Sequence, residues 1–166
     1  METLHELIRE LEAHTRNNSD KDVLYLLSRF NNCQGQDWRD YMSAPGNTPI
    51  FQNEYFRLVL IHWEGYARSK KHGHPEGGCL LKVLSGALIE TRYDPFDPQR
   101  EAGRHHFLPG DVSYIHDALA YHVVENPLPE PAVSLHMYAP GIPISRVIQP
   151  DGNIRETQGL GLIPAN

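Results

Sequence analysis

The chain has 166 residues and a formal net charge of −6 with histidine neutral, which argues against a uniformly basic nucleic-acid surface. Hydrophobic residues make up 40% and charged residues 22%, with two cysteines and no run near the roughly 18 apolar residues a membrane helix needs. The composition describes a soluble globular chain without a disulfide scaffold. Thirteen Gly and thirteen Pro favour a turn-rich β protein over a helix bundle, and ten His are the compositional surprise. The opening stretch METLHELIRELEAH carries acids and no apolar h-region. It is not a signal peptide, and a reducing cytoplasm is the expected compartment. Leu4, Ile8, Leu11 and His14 recur at helical spacing. Asn18-Ser19-Asp20 then supplies cap residues for a second helix, with Val23, Leu24, Leu26, Leu27 and Phe30 as its apolar face. Trp38 to Met42 reads as a third short helix, and Ala44-Pro45-Gly46-Asn47 breaks the pattern.

Beyond that break the text changes to strands. The segments are 55–63, 79–84, 87–93, 104–107, 112–115, 122–124 and 132–138, with a last hairpin around Asp151-Gly152. Gly or Pro turns separate most of them: Ser85-Gly86, Pro109-Gly110-Asp111, Pro127 to Pro131 and Pro140-Gly141. The expectation is a mainly β, single structural domain. Residues 1–45 form a helical cap and residues 46–166 a small antiparallel barrel.

His72 and His74 stand two apart at the start of a strand, so both imidazoles project from one face and can share a metal ion. A third ligand must come from elsewhere, and His122 is the best candidate. The spacing His72-x-His74, then four residues, Cys79, six residues and Gly86 resembles the first cupin motif. A Glu usually stands there where Cys79 stands here. Pro109-x-Asp111 and His122-x-x-x-Asn126 resemble the second motif. The cysteine departure points to one branch, the cysteine dioxygenase family of thiol dioxygenases. Trp63, the segment Tyr114 to Asn126, and Ser134-Leu-His136-Met-Tyr138 are similar to that family as well. The resemblance runs from about Tyr55 to about Gly152.

The resemblance implies a cupin jelly-roll barrel with N-terminal helices and a mononuclear Fe2+ held by His72, His74 and His122. It implies a Ser134–His136–Tyr138 triad beside the metal and a thioether position shared by Cys79 and Tyr138. The implied reaction oxidises a small-molecule thiol with O2 to a sulfinic acid. Three neutral imidazoles leave a divalent metal's charge uncompensated, which favours an anionic thiolate. The parity of 134, 136 and 138 independently puts those three side chains on one strand face. His116 competes as third ligand, but the His122-x-x-x-Asn126 context favours His122.

One departure bears on the substrate. Cysteine-specific members carry an Arg for the substrate carboxylate on the loop before the 55–63 strand, and no Arg lies between Ser43 and Tyr55 here. Gly46-Asn47 stands at the matching place, and a neutral amide cannot make the bidentate charge-assisted pair of an Arg. Cysteine or a related thiol such as a mercaptocarboxylate is therefore expected, with Asn47, Arg57 or Arg68 as candidate substrate contacts. Arg57 shares strand parity with Trp63. The competing readings are another metal-dependent cupin enzyme, an isomerase or a C–C cleaving dioxygenase, and a non-catalytic ligand-binding cupin. Partners are expected to be the thiol and O2, without nucleic acid or membrane. A monomer is the default, because no heptad pattern or long apolar edge is visible.

Overall fold

A computed structural model describes residues 2–17, 22–42, 45–142 and 144–158 of the chain. Helix α1 spans Leu4–Asn17 and begins with a capping box. The Thr3 backbone N–H donates to the Glu6 carboxylate at 2.8 Å, and the Glu6 N–H donates back to Thr3 Oγ1 at 3.1 Å. Leu4, Leu7 and Leu11 are its buried stripe, while His14 stacks on Tyr25 of the next helix. Helix α2 spans Val23–Asn32 and is capped by Asp22, whose carboxylate accepts from the Tyr25 N–H at 3.1 Å. The expected cap Asn18-Ser19-Asp20 lies outside the described residues, as does Ala44 of the expected break. Leu24 is 80% exposed and does not belong to the apolar face, which is carried by Leu26 and Phe30 with Leu27 packed beside them. A 3-10 helix, Asp37–Tyr41, takes the place of the third helix. Cys33, the C-cap of α2, is buried.

Eleven strands follow among the described residues: β1 Gly46–Gln52, β2 Arg57–Trp63, β3 His72–Gly73, β4 Cys79–Ser85, β5 Leu88–Tyr93, β6 Glu101–Phe107, β7 Val112–Ile115, β8 Tyr121–Glu125, β9 Ala132–Tyr138, β10 Ile144–Ile148 and β11 Ile154–Gln158. They form two antiparallel sheets, ordered β1-β2-β9-β4-β7 and β11-β10-β3-β8-β5-β6. Strand β1 takes in Gly46-Asn47, the end of the expected break. Its Gly, Asn and Pro are poor strand formers, but it is an edge strand, where the missing N–H of Pro49 costs no ladder bond on the open side. The β4–β5 turn needs Gly86. Its φ is +76°, and a Cβ there would lie 2.7 Å from the Ala132 Cβ.

Period-two alternation divides the five-stranded sheet between two cores. Leu58, Leu60, Leu80, Leu135 and Met137 face outward and are covered by Leu4, Leu7, Leu11 and Phe30 of the helices. Val59, Ile61, Trp63, Leu81, Val83 and Tyr138 face inward and meet Leu88 and Val124 of the second sheet. Both faces of β9 are thereby covered, and all seven of its residues are buried. Register aligns one inward row across the sheet: Gln52 opposite Arg57, Arg57 opposite Tyr138, Tyr138 opposite Cys79, Cys79 opposite Ile115. That row forms one wall of the site.

Candidate metal centre

Strand β3 is two residues long and is held between β8 and β10, which sets His72 directly opposite His122. Gly73 leaves room for an acid: a Cβ there would come within 2.5 Å of the Asp117 carboxylate. Asp117 instead accepts from the His74 backbone N–H at 2.7 Å, and its Oδ1 lies 3.4 Å from His74 Nδ1, without hydrogen-bond geometry. The result is that three rings from two segments converge. Nε2 of His122 is 3.0 Å from Nε2 of His72 and 3.0 Å from Nε2 of His74. All three are buried, and this is the metal-competent cluster found among the described residues.

The partners on the far side of the rings fix their tautomers. His72 Nδ1 lies 2.7 Å from the Lys70 carbonyl oxygen, and His122 Nδ1 lies 2.7 Å from Glu90 Oε1. A carbonyl and a carboxylate can only accept, so Nδ1 carries the proton and Nε2 presents a bare lone pair. Burial, reinforced by the neighbouring imidazoles, holds His72 and His122 well below the ordinary histidine range, so the rings are neutral. Lone pairs aimed at one point repel each other unless a cation lies between them. A donor set of three imidazole nitrogens suits a divalent first-row ion. Acids anchor this side: Glu90, 1% exposed, accepts from Arg92 Nε at 2.8 Å, and Asp117 pairs with Arg146 at 2.5 Å.

On the facing wall, β9 carries Ser134, His136 and Tyr138, all inward and buried. Trp63 Nε1 donates to Ser134 Oγ at 2.8 Å. Ser134 Oγ is 2.8 Å from His136 Nε2, and His136 Nδ1 is 3.3 Å from the Tyr138 hydroxyl. An indole N–H can only donate, so Ser134 accepts from Trp63, and its own proton is available to His136 Nε2. The ring proton then sits on Nδ1 and points at the Tyr138 oxygen. Burial holds His136 down at about 3, so this neutral form persists at working pH. With that proton on Nδ1, the Tyr138 O–H is directed away from His136, and Cys79 is the residue paired with Tyr138 on β4. Burial raises both the Cys79 thiol and the Tyr138 phenol above their ordinary ranges.

Of the candidate substrate contacts, Arg57 is 3% exposed and its guanidinium lies over the Tyr138 ring, 5.4 Å from the centroid. Arg68 is far more exposed and pairs with Glu125, so it stands apart from the cluster. Asn47 lies on β1 opposite Ile61, in the row of Ser134 rather than that of Tyr138. His116 is spent on the Glu76 carbonyl at 2.7 Å and is not a third ligand. Asn126 is a brace, donating to the Glu64 and Glu130 carbonyls. Glu90, Asp117 and the Trp63 donor were missed from sequence. Glu90 had a signal: it shares strand parity with Leu88, which puts an acid at a core position. A cleft of about 440 Å³ lined by His74, Asp117, Ile142 and Arg146 reaches the cluster from outside.

The sequence model of the family described as cysteine dioxygenase type I matches residues 2–149. Cysteine dioxygenase type 1 of Danio rerio is 33% identical over 153 residues, covering 84% of this chain and 75% of that protein. The Mus musculus protein of the same name is 37% identical over 94 residues, 53% of this chain and 46% of its own length. Among solved structures, a Bacillus halodurans protein superposes with a TM-score of 0.56 at 15% identity, covering 73% of this chain and 85% of that one. A Klebsiella pneumoniae protein with a double-stranded β-helix domain gives 0.53 at 18% identity, covering 72% and 93%. These two likenesses bear on the fold alone, and they agree with the cupin barrel expected from the motifs.

Proposed function

The chain belongs to the cysteine dioxygenase type I family, and from that premise we propose that it oxidises a small thiol with O2 to a sulfinic acid at one iron(II) held by His72, His74 and His122. The reaction balances as thiol plus O2 giving sulfinic acid, with both oxygen atoms on one sulfur. The observation that carries the reading is the convergence of three buried histidine Nε2 atoms, two of them with the ring proton held on Nδ1, opposite a buried phenol that lies 3.3 Å from His136. The metal supplies the redox chemistry and an electropositive seat for a thiolate.

The chain's own residues do the rest. Glu90, through Nδ1 of His122, fixes that ring and strengthens it as a donor. Asp117 holds the His74 backbone in place. Trp63, Ser134 and His136 orient the Tyr138 hydroxyl, which offers its proton to an oxygen or sulfur atom brought beside it. The barrel interior excludes bulk water, which strengthens each of these polar contacts. Cys79 stands opposite Tyr138 on the neighbouring strand, the position of the family's thioether. Joining Cys79 Sγ to a Tyr138 ring carbon removes two hydrogen atoms, which O2 accepts to give hydrogen peroxide. Intact mass lower by two hydrogens after turnover is the expected signature.

The test is O2 uptake by the iron(II) protein against cysteine, cysteamine, 3-mercaptopropionate and mercaptosuccinate, with mass spectrometry of the products. Uptake with a sulfinate product is the expected result. No uptake with any thiol, with iron retained, would overturn the proposal.

A further inference from the structure

We infer that Arg57 is an anion clamp: its guanidinium receives the carboxylate of the thiol substrate, and the site therefore selects thiols that carry a carboxylate over those that lack one. This rests on the thiol reading above and deepens it. It assigns the role to a barrel strand, where the resemblance expects an Arg on the loop that here carries Gly46-Asn47.

Arg57 is 3% exposed, yet no acid forms an ion pair with it among the described residues, and its Nε has no hydrogen-bond partner. Buried cations are ordinarily paired, because an uncompensated charge in a low-dielectric interior is costly. The groups that face it are Tyr138 and Cys79, both uncharged in this environment. The ring face of Tyr138 offsets only a modest part of that cost. Nor can the nearby acids turn toward it, since Glu90 is committed to His122 and Arg92, and Asp117 to the His74 backbone and Arg146. None of the described residues supplies the counter-ion, and an external anion meets that demand. Its place is set by register: Arg57, Tyr138 and Cys79 form one inward row, opposite the three histidines across the barrel. An anion on Arg57 lies against the phenol that the relay has oriented. A carboxylate is the anion whose two oxygens match the planar fork of a guanidinium.

The test is binding, measured without turnover. The iron(II) protein is titrated under O2-free conditions with 3-mercaptopropionate, 2-mercaptoethanol and sulfur-free propionate. The wild type should bind 3-mercaptopropionate at least about tenfold more tightly than 2-mercaptoethanol, the scale of a hydrogen bond to a charged group. Arg57→Gln should collapse that ratio toward one and lose the propionate response, and Arg57→Lys should restore part of both. Melting of the metal-free protein separates this from a structural role. Removing an unpaired buried cation in Arg57→Gln should raise the melting temperature, whereas removing a needed partner of Tyr138 would lower it. A wild-type ratio near one, an unchanged ratio in Arg57→Gln, or a lowered melting temperature would each overturn the clamp. If Arg57→Gln does not fold, the wild-type ratio and Arg57→Lys still decide. Failure of the thiol reading is distinct: no thiol would then drive O2 uptake, while propionate binding would still depend on Arg57.

Discussion

The two walls of the barrel treat charge in opposite ways. On the six-stranded side, His72 and His122 are each backed by an acceptor, the His74 backbone is held by Asp117, and the acids Glu90 and Asp117 are themselves clamped by Arg92 and Arg146. On the five-stranded side, Trp63, Ser134, His136 and Tyr138 form a neutral chain of hydrogen bonds, and Arg57 is a buried cation with no acid beside it among the described residues. One wall is electrostatically closed and can hold a metal before any substrate arrives. The other is left open for an anion. A site that must keep one partner and exchange another is built in this way: compensation fixes the resident, and its absence leaves a demand that only the substrate meets.

Breaking the closed wall should have the largest effect. His74→Ala removes one of three ligands and should abolish iron binding and turnover while the barrel stays folded, checked by metal content and circular dichroism. Full activity in that variant would refute the ligand assignment. Glu90→Gln tests the layer behind the ligands. It keeps the shape but takes the negative charge from His122 Nδ1 and from Arg92, so iron affinity should fall by about 10–100-fold in a competition titration with a chelator.

Smaller effects are expected on the open wall. Trp63→Phe removes the donor that orients Ser134 and frees the serine hydroxyl to turn away from His136. The loss is about one hydrogen bond's worth, roughly tenfold in kcat with KM little changed. A KM effect without a kcat effect would instead place Trp63 in substrate packing.

A further effect is one of pH and bears on stability rather than turnover. His136 is held at about 3 in the folded protein against an ordinary 6.5, chiefly by burial. As pH falls below 6.5 the unfolded chain takes up the proton first, so stability declines until about pH 3 and then levels; above 6.5 this residue adds no pH dependence. His136→Gln should remove that slope, up to about 1.4 kcal/mol per pH unit, from acid unfolding curves of the metal-free protein. Parallel curves for the two proteins would contradict the neutral assignment.

Much of this was legible in the sequence because it rests on spacing. The 134, 136, 138 parity put three side chains on one face, and the His72-x-His74 pair could only serve one ion if a third ligand lay across the sheet. The strand β9 was read from residue to residue as Ala132–Tyr138. What failed depends on tertiary context. Leu24 counts as apolar in any helical pattern, but the helix turns it to solvent. Strand β1 is written in turn residues and exists because β2 offers it an edge. Asp117 carried no signal and Glu90 only its parity with Leu88, since only the folded chain shows which acids stand behind a histidine. Arg57 could be placed by parity with Trp63. That it has no partner could not be read from any spacing.

Turnover under oxygen-18 gas tests the central claim most directly, with the iron(II) protein and the thiol it prefers. The account predicts a sulfinate carrying both labelled oxygen atoms, formed one for each O2 consumed. A disulfide product, or a sulfinate with one oxygen from water, would contradict it.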